Sequence, residues 1–269
     1  MILLADGGST KVEWVLRDGK DCVDRCTTVG LNPVHVSEQD IVSVLQALLS
    51  EHPFMRDVMA VEFYGSGCIP SVVPKMERCL MSVFGDDADI IVGSDIIGAA
   101  KAVCGSNEGI ACILGTGANS CLWNGRKIVS QTPALGYVLG DEGSGAVLGK
   151  LFLNALYKNP LLVDLRAEFE REFRIDMMGV IERVYRQPLP NRWLASLSPF
   201  IHNHMDNSFV ENVVIESLSA FFEKNILPYN RPDLSVSFVG SIAFHYEQQL
   251  RYVAEKYDMR IGRVLKTPL

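Results

Sequence analysis

The chain has 269 residues and a mass of 29.8 kDa, and 48% of its residues are hydrophobic and 21% charged. This length and composition exclude a disordered chain, a collagen-like repeat and a small disulfide scaffold, and they allow one large domain or two of about 100–150 residues. With 25 basic and 32 acidic residues, the formal net charge is −7. Such a charge argues against nucleic acid or an anionic membrane as the main partner.

The cysteines indicate a reducing compartment. Their number, 7, is odd, and no two are spaced as Cys-x-x-Cys. Several lie within apolar runs, as Cys112 does in residues 110–114, which favours buried thiols over disulfides or a zinc site. No apolar run approaches ~18 residues, and no leader-like segment opens the chain, so the sequence predicts a cytoplasmic protein.

The first half of the chain alternates short apolar runs with longer stretches of helical periodicity. Alternation and turn signals predict strands, whereas apolar residues at helical spacing predict helices. The predicted strands are 2–5, 12–17, 22–28, 58–64 and 89–92, and the predicted helices are 37–50, 71–84 and 95–104. Asp18-Gly19, between the second and third strands, is typical of a tight hairpin turn.

The same order of elements restarts after Gly105-Ser106-Asn107, where the sequence predicts a domain boundary. The predicted strands are 110–114, 118–123, 127–131, 235–239 and 259–264, and the predicted helices are about 144–157, most of 161–227, and 242–257. We therefore expect an α/β protein with two topologically similar lobes. The first lobe is residues 1–105, and the second is residues 106–269 with a helical insertion at about 150–230.

Glycine-rich turns occupy equivalent positions in the two halves. The first strand of each half leads into Asp6-Gly7-Gly8-Ser9-Thr10 or into Gly115-Thr116-Gly117-Ala118-Asn119, and a second strand follows. Glycine amides and hydroxyl groups in such turns bind phosphate oxygens, and Asp6 is a candidate ligand of Mg²⁺. Either turn alone is compatible with an ordinary hairpin. Their matched placement favours two phosphate turns that face each other across a cleft.

Acidic residues stand at the start of two predicted helices. Asp95 follows a strand and precedes a helix rich in small residues, so it is either a helix cap or a general base at the rim of an α/β active site. The segment Gly140-Asp141-Glu142-Gly143-Ser144-Gly145 places acids where they complement a helix N-terminus or bind ligand hydroxyls. A P-loop is excluded because Ser144 and Leu151 stand where that motif needs Gly and Ser or Thr.

In their order and spacing, these motifs resemble the BadF/BadG/BcrA/BcrD ATPase family and, within it, the N-acetylglucosamine kinases. The resemblance covers nearly the whole chain and rests on segments 6–10, 94–99, 115–119, 136–145 and 239–241. It implies the sugar kinase/heat-shock ATPase/actin fold, with two ribonuclease H-like lobes and an interlobe cleft for ATP and substrate. It also implies an ATP- and Mg²⁺-dependent kinase of an amino sugar, with N-acetylglucosamine at its 6-hydroxyl as the first candidate.

The resemblance assigns roles to individual residues. Asp95 matches the base that deprotonates the sugar hydroxyl, and Asp6 matches the carboxylate that organises Mg²⁺. The positions that match ATP contacts are Gly8, Ser9, Thr10, Lys11, Gly115, Thr116, Gly117, Gly240 and Ser241. The positions that match sugar contacts are Asn32, Asp95, Thr116, Gly117, Asn119, Gly136 and Asp141. One departure is Leu135, which stands where the sugar kinases carry an aromatic residue, with Tyr137 on the other side of Gly136.

Other functions stay open at this point. An activator of 2-hydroxyacyl-CoA dehydratases, in the same family, needs an iron–sulfur cluster held by cysteines, but Ile113-Leu114 separates Cys112 from the second turn. A non-catalytic sugar or nucleotide sensor would not need Asp95. The cysteine–zinc signature of the repressor/open-reading-frame/kinase group is absent. We expect an amino sugar and ATP as partners, and neither nucleic acid nor a membrane; a homodimer is compatible with the sequence.

Overall fold

Two five-stranded mixed sheets organise the chain, as the predicted α/β class requires. The computed structural model describes residues 1–8 and 11–269. The chain divides into unit 1, Met1–Ala102 with Pro268–Leu269, and unit 2, Val103–Thr267. Two of the residues predicted to contact ATP, Ser9 and Thr10, lie outside the described residues.

Unit 1 has three strands in a meander followed by alternating helices and strands. Its elements are β1 (Ile2–Gly7), β2 (Lys11–Asp18), β3 (Asp21–Val29), α1 (Glu38–Glu51), a 3₁₀ turn (Pro53–Met55), β4 (Ala60–Gly65), α2 (Val73–Phe84), β5 (Asp89–Ser94) and α3 (Asp95–Cys104). The strand order is β3-β2-β1-β4-β5. β1 is antiparallel to β2 and parallel to β4, and β4 is parallel to β5.

Local sequence signals explain several boundaries in unit 1. The hairpin predicted from Asp18-Gly19 is confirmed: Gly19 has a φ of +59°, and Asp18 pairs with Asp21 across the turn. Ser37 caps α1, because its hydroxyl accepts the Asp40 amide at 3.1 Å. Gly85 ends α2 with a φ of +84°, a conformation that favours glycine.

The two faces of the unit 1 sheet differ in character. The face under α1 and α2 is apolar, and its buried strand residues are Leu3, Ala5, Val61 and Phe63. Side chains alternate along a strand, so the neighbouring residues face the opposite side, where α3 packs; these are Leu4, Asp6, Glu62 and Tyr64. The alternation therefore places the carboxylate of Asp6 on the α3 face.

Unit 2 repeats the strand connectivity of unit 1. Its elements are β6 (Glu108–Leu114), β7 (Ala118–Asn124), β8 (Ile128–Gln131), α4 (Gly136–Leu139), α5 (Gly145–Lys158), α6 (Val163–Phe173), α7 (Met177–Tyr185), α8 (Pro190–Ala195), α9 (Ser198–Asn203), α10 (Ser208–Phe221), a π-helical turn (Phe222–Ile226), β9 (Ser235–Val239), α11 (Ser241–His245), α12 (Glu247–Lys256) and β10 (Arg260–Leu265), with 3₁₀ turns at Pro160–Leu162 and Leu227–Tyr229. The strand order β10-β9-β6-β7-β8 mirrors that of unit 1, so the predicted duplication of topology is confirmed.

The helices of unit 2 differ from the prediction in two places. Residues 242–257 do not form one helix, because α11 and α12 are separated at Tyr246. This tyrosine is fully buried, and its hydroxyl donates to the Ser198 carbonyl at 2.8 Å, so tertiary packing overrides the local periodicity. The short helix α4 in the glycine-rich segment was not predicted.

The core of unit 2 includes a cluster of phenylalanine rings. The rings of Phe152, Phe169 and Phe200 lie with centroids 5.6–6.1 Å apart, within the range of favourable ring pairs.

Across the described ranges, 1–8 and 11–269, none of the helices combines the length and the apolar character that crossing a bilayer would require.

Candidate active site

Asp6 and Asp95 interact at the carboxyl ends of the unit 1 strands. Asp6 lies near the end of β1, Asp95 begins α3 directly after β5, and β4 lies between those strands. Burial, followed by the charge of Asp95, raises the pKa of Asp6 to about 6. Burial also raises the pKa of Asp95, although its Oδ1 accepts the Ile96 amide at 2.8 Å. The structure thus brings together two residues that the sequence placed at separate strand ends.

A third carboxylate, Glu13, was missed by the sequence prediction. It lies directly opposite Asp6 in the β1–β2 ladder and is only 9% exposed, and its charge further raises the pKa of Asp6. Arg25 of β3 pairs with Glu13 at 3.0 Å, whereas Lys11 acts on Asp6 in the opposite direction and lowers its pKa. The sequence did contain a signal for Glu13, because a charged residue at an inward-facing position of an apolar strand is uncommon and suggests a specific role.

The chemistry of these side chains fits Mg²⁺. Magnesium takes hard oxygen ligands, and proteins commonly hold it through one or two carboxylates and the phosphates of a substrate. A cation beside Asp6 and Asp95 would also relieve their mutual repulsion. In the part of the chain that the structure describes, no three His, Cys, Asp or Glu side chains are grouped to hold a metal by themselves.

Tyr64 sets the position of α3 and hence of Asp95. A Cβ on Gly98 would lie 2.7 Å from the Cβ of Tyr64, so α3 approaches β4 this closely only with glycine at that position. The Tyr64 hydroxyl donates to Glu62 Oε2 at 2.5 Å, and Lys101 of α3 donates to the same oxygen at 3.0 Å. The small residues at the start of α3 were the sequence signal for this close packing.

In unit 2, the second glycine-rich turn is anchored to α5. The Gly145 amide donates to the Gly115 carbonyl at 2.8 Å, and the Ala146 amide donates to the Thr116 carbonyl at 3.2 Å. Thr116 is exposed, and a Cβ on Gly115 would meet no atom within 4 Å. The turn is therefore fixed on one side and accessible on the other, as binding of phosphate to backbone amides requires.

Gly240 supports this turn from the end of β9. Its φ is +126°, and a Cβ at this position would lie 2.2 Å from the carbonyl oxygen of Leu114. Both the dihedral angle and the contact exclude any other residue. The resemblance assigned Gly240 to the nucleoside; the structure shows that it packs against β6, the strand that leads into the second glycine-rich turn.

We expect Gly240→Ala to lower the free energy of unfolding by about 2–4 kcal/mol, because strained backbone and a backbone clash act together. Denaturant unfolding measures this change. Gly115→Ala is the matched control for stability, since open space surrounds that position, and we expect it to unfold like the wild type. A Gly240→Ala protein within about 0.5 kcal/mol of the wild type would contradict the packing described here.

Several of the predicted sugar-binding residues of unit 2 cluster around Asp141. This residue has a φ of +55°, and the backbone of Ala118 and of Gly136 lies close to its carboxylate. A Cβ on Gly117 would lie 3.0 Å from Asp141 Oδ2, and Asn119 follows Ala118 along β7. Burial raises the pKa of Asp141. The predicted grouping of Gly117, Asn119, Gly136 and Asp141 therefore corresponds to one local arrangement.

Asn32 lies in unit 1, in the turn between β3 and α1. Its Oδ1 accepts the Val34 amide at 3.0 Å, and its carbonyl accepts the Val36 amide at 3.0 Å. A Cβ on Gly67, which has a φ of +81°, would lie 2.2 Å from Asn32 Oδ1. Asn32 therefore shapes its own turn, in addition to the sugar contact that the sequence predicts.

The remaining predicted ATP-binding residues lie at turns and at a helix start. The Gly8 amide donates to the Lys11 carbonyl at 2.9 Å, and Lys11 is exposed. Ser241 is exposed and begins α11 directly after Gly240. A cavity of about 630 Å³ in unit 1 touches Asp6 but runs along the sheet to Arg17 of β2, which pairs with Ile2 at the start of β1, so it is not the predicted site.

The sequence did not predict the π-helical turn Phe222–Ile226, hereafter the π-turn. This turn makes hydrogen bonds to β7 and to the residue that follows β8. The Asn225 carbonyl accepts the Ser120 hydroxyl at 3.0 Å and the Thr132 hydroxyl at 3.2 Å. Tyr229, which follows the π-turn, lies 2.8 Å from the Ser120 hydroxyl and accepts the Thr132 amide at 3.0 Å. Turns of this kind are rare and frequently mark functional sites.

Side chains of the π-turn also hold Glu142, the neighbour of Asp141. Lys224 Nζ lies 2.9 Å from Glu142 Oε1, and Asn225 Nδ2 lies 3.4 Å from Oε2. Burial is the largest single effect and raises the pKa of Glu142, but the hydrogen bonds from Lys224, Asn225 and the backbone, together with the charge of Lys224, outweigh it and lower the pKa. The π-turn therefore contacts both the β7–β8 strands and the loop that carries Asp141.

The chain is similar to known sugar kinases. The chain is 43% identical to a candidate N-acetylglucosamine kinase from Porphyromonas gingivalis, with a TM-score of 0.94 over 100% of this chain and 95% of that one. A candidate N-acetylglucosamine kinase from Chromobacterium violaceum (18% identity, TM-score 0.72, 97% and 93% coverage) and a ROK hexokinase from Thermus thermophilus (13%, 0.53, 98% and 92%) share the fold. No family model and no curated protein matches the chain.

Proposed function

Because this chain belongs to the N-acetylglucosamine kinase-like family of ATP-dependent sugar kinases, we propose that it transfers the γ-phosphoryl group of ATP to the 6-hydroxyl of N-acetylglucosamine. The observation that carries the proposal is the placement of Asp6 and Asp95 at neighbouring strand ends of unit 1, where the charge of Asp95 acts on Asp6. Phosphoryl transfer depends on positioning, on neutralisation of phosphate charge and on one group that accepts the hydroxyl proton. One carboxylate would hold the Mg²⁺ that neutralises the phosphates, and the other would accept the proton.

Asp95 would act as the general base. As the sugar oxygen bonds to the γ-phosphorus and the bond to ADP breaks, the hydroxyl proton would pass to the Asp95 carboxylate. A carboxylate whose pKa is raised by burial accepts a proton more readily near neutral pH than an ordinary aspartate does. The bond from the Ile96 amide to Oδ1 holds the carboxylate in a fixed orientation while Oδ2 takes the proton.

Asp6 would hold Mg²⁺, which supplies the positive charge that neutralises the phosphates when it is bound. The amides near Gly8 and between Gly115 and Gly117 would bind phosphate oxygens, with Lys11 as an additional cation. Gly240 and Ser241 would lie along the nucleoside. These assignments are supported by the accessible backbone of the second turn and by the position of Gly240 beside it.

Asn32, Asn119, Gly136 and Asp141 would bind the sugar. Leu135, which stands where the resemblance leads us to expect an aromatic residue, is 58% exposed, and Tyr137 is partly buried against the core of unit 2. We therefore expect recognition of the sugar to depend on the polar side chains. The positions of hydrogen-bond donors and acceptors on these side chains would then be the main determinant of sugar specificity.

A coupled assay of ADP release tests the proposal. N-acetylglucosamine, N-acetylmannosamine, glucosamine and glucose are compared as substrates, and phosphorus NMR identifies the phosphorylated hydroxyl. We expect the highest kcat/KM with N-acetylglucosamine and a 6-phosphate product. ADP release that does not depend on any sugar would contradict the proposal. Iron in anaerobically purified protein would instead support the dehydratase activator.

A further inference from the structure

Gln131, at the end of β8, contacts Asn119, one of the residues proposed above to bind the sugar. The ladder between β7 and β8 ends at the pair of Cys121 and Gln131, so Gln131 lies diagonally across from Asn119 on the same face. Gln131 Nε2 lies 3.0 Å from Asn119 Oδ1. No motif in the sequence marked Gln131, because the contact depends on the register of β7 and β8.

The backbone fixes which way the Asn119 amide points. An asparagine side chain can be reversed without changing its shape, and its orientation has to be decided from its partners. Here the partner is the Ser120 amide, 2.9 Å from Oδ1, and a backbone N–H can only donate. The atom facing Ser120 must therefore be the oxygen, and Gln131 must in turn present its NH₂ group to the same oxygen.

The two hydrogen bonds determine what Asn119 can offer a ligand. Oδ1 has two lone pairs, and the Ser120 amide and Gln131 Nε2 use both. The free group of the half-buried Asn119 side chain is then Nδ2, a donor. Asn119 can therefore bind an acceptor on the sugar, such as a hydroxyl or carbonyl oxygen, and cannot serve as an acceptor itself.

We propose that Gln131 is a positioning residue for sugar binding, because it holds Asn119 with its amide nitrogen toward the substrate. The inference rests on the proposed function, since it takes a sugar as the ligand. Gln131 itself need not touch the substrate: it acts through Asn119. Its amide, rather than its size, is the property that matters, because a group without a donor at this position leaves Asn119 Oδ1 free to attract the wrong sugar group.

Replacement of Gln131 by residues of similar length separates polarity from packing. Gln131→Met keeps the length and removes the donor, Gln131→Glu presents only acceptors, and Gln131→Lys presents only donors. The loss of one hydrogen bond corresponds to a roughly 3–10-fold rise in the KM for N-acetylglucosamine in Gln131→Met. Gln131→Glu should raise it by about 10-fold or more, because two acceptors then face each other, and Gln131→Lys should stay within about twofold of the wild type.

The other kinetic constants show whether the effect is specific to sugar binding. The KM for ATP and the kcat at saturating sugar should change by less than about twofold in Gln131→Met and Gln131→Glu, since Gln131 is exposed and its hydrogen bond goes to Asn119, which is assigned to the sugar and not to ATP. Ser130→Ala, on the same exposed strand but the opposite face, is the matched control. Gln131→Met combined with Asn119→Ala should be no weaker than Asn119→Ala alone, because Gln131 acts through Asn119.

The possible results distinguish this inference from the proposed function. A wild-type enzyme that releases no ADP in response to any amino sugar would overturn both. An active wild type whose KM for N-acetylglucosamine is unchanged in Gln131→Met and Gln131→Glu would overturn the inference alone. Equal rises in Gln131→Met and Gln131→Lys would also overturn it, since packing rather than hydrogen-bond polarity would then be responsible.

Discussion

Asparagine in place of Asp95 is expected to lower sugar-dependent ADP release by about 10²–10⁴-fold, the usual contribution of a general base. The substitution keeps the shape of the side chain and an oxygen for the Ile96 amide, which lies 2.8 Å away, so the start of α3 should not move. The variant loses the capacity to take the proton of the sugar hydroxyl. Steady-state kinetics with N-acetylglucosamine measures the loss, and calorimetry with ATP should show nearly unchanged binding.

Asp89→Asn is the control for this prediction. Asp89 is exposed at the opposite end of β5, so the variant makes the same chemical change on the same strand without touching the site. We expect it to retain wild-type turnover. An Asp95→Asn enzyme with more than half of the wild-type kcat would show that another group accepts the proton.

The wild-type pH profile gives a second measurement of the base. Because burial raises the pKa of Asp95, the carboxylate becomes protonated at a higher pH than an ordinary aspartate. We expect kcat to fall on the acid side through that raised pKa. The residual activity of Asp95→Asn should lack this acidic limb, whereas Asp89→Asn should reproduce the wild-type profile.

Asp6→Asn is expected to impair the use of Mg²⁺ and ATP by at least about 10–100-fold and, at neutral pH, to stabilise the fold. The pKa of Asp6 rises from 3.8 to about 6 on folding, so the folded protein binds this proton more tightly than the unfolded chain does. The corresponding contribution to stability is complete below about pH 4 and is lost as the pH rises through about 6. Asp6→Asn removes the charge and therefore restores this contribution to stability at neutral pH.

The stability gain should be about 1–3 kcal/mol above pH 6, after allowance for the solvent that reaches a half-buried group, and it should vanish below about pH 4. Thermal unfolding at several pH values measures it. Asp18→Asn, at the exposed end of β2, is the matched control and should show no such pH-dependent gain. An Asp6→Asn protein that is less stable than the wild type at neutral pH would mean that Asp6 makes a stabilising contact instead of suffering repulsion.

Much of the fold could be predicted because its signals are local. Apolar alternation indicates the strands, Asp18-Gly19 indicates the β2–β3 turn, and a strand followed by Asp95 indicates the start of α3. Asp6 and Asp95 could also be proposed as site residues, since each stands where a strand of an α/β sheet ends. Their proximity depends on the order of β1, β4 and β5, which the alternation of strands and helices already favours.

The unpredicted features depend on pairing between distant segments. Glu13 matters because the β1–β2 register sets it opposite Asp6. Gln131 matters because the β7–β8 register pairs it with Cys121 and so brings it within hydrogen-bond distance of Asn119. Tyr64 positions α3 through a close contact with Gly98. Each of these residues has an ordinary sequence context, so its role becomes visible only when strand register and helix packing are known.

The π-turn has a consequence for how the site could change during evolution. A helical turn of this type contains one residue more than an α-helix would use, and removal of one residue would rotate the residues after it by about 100° around the helix axis. Asn225 would then turn away from Ser120 and Thr132, even if every polar residue were retained. A one-residue difference in length between Phe222 and Ile226 would therefore alter the surroundings of Asn119 and Glu142 in a single genetic step, whereas point substitutions would have to accumulate one contact at a time.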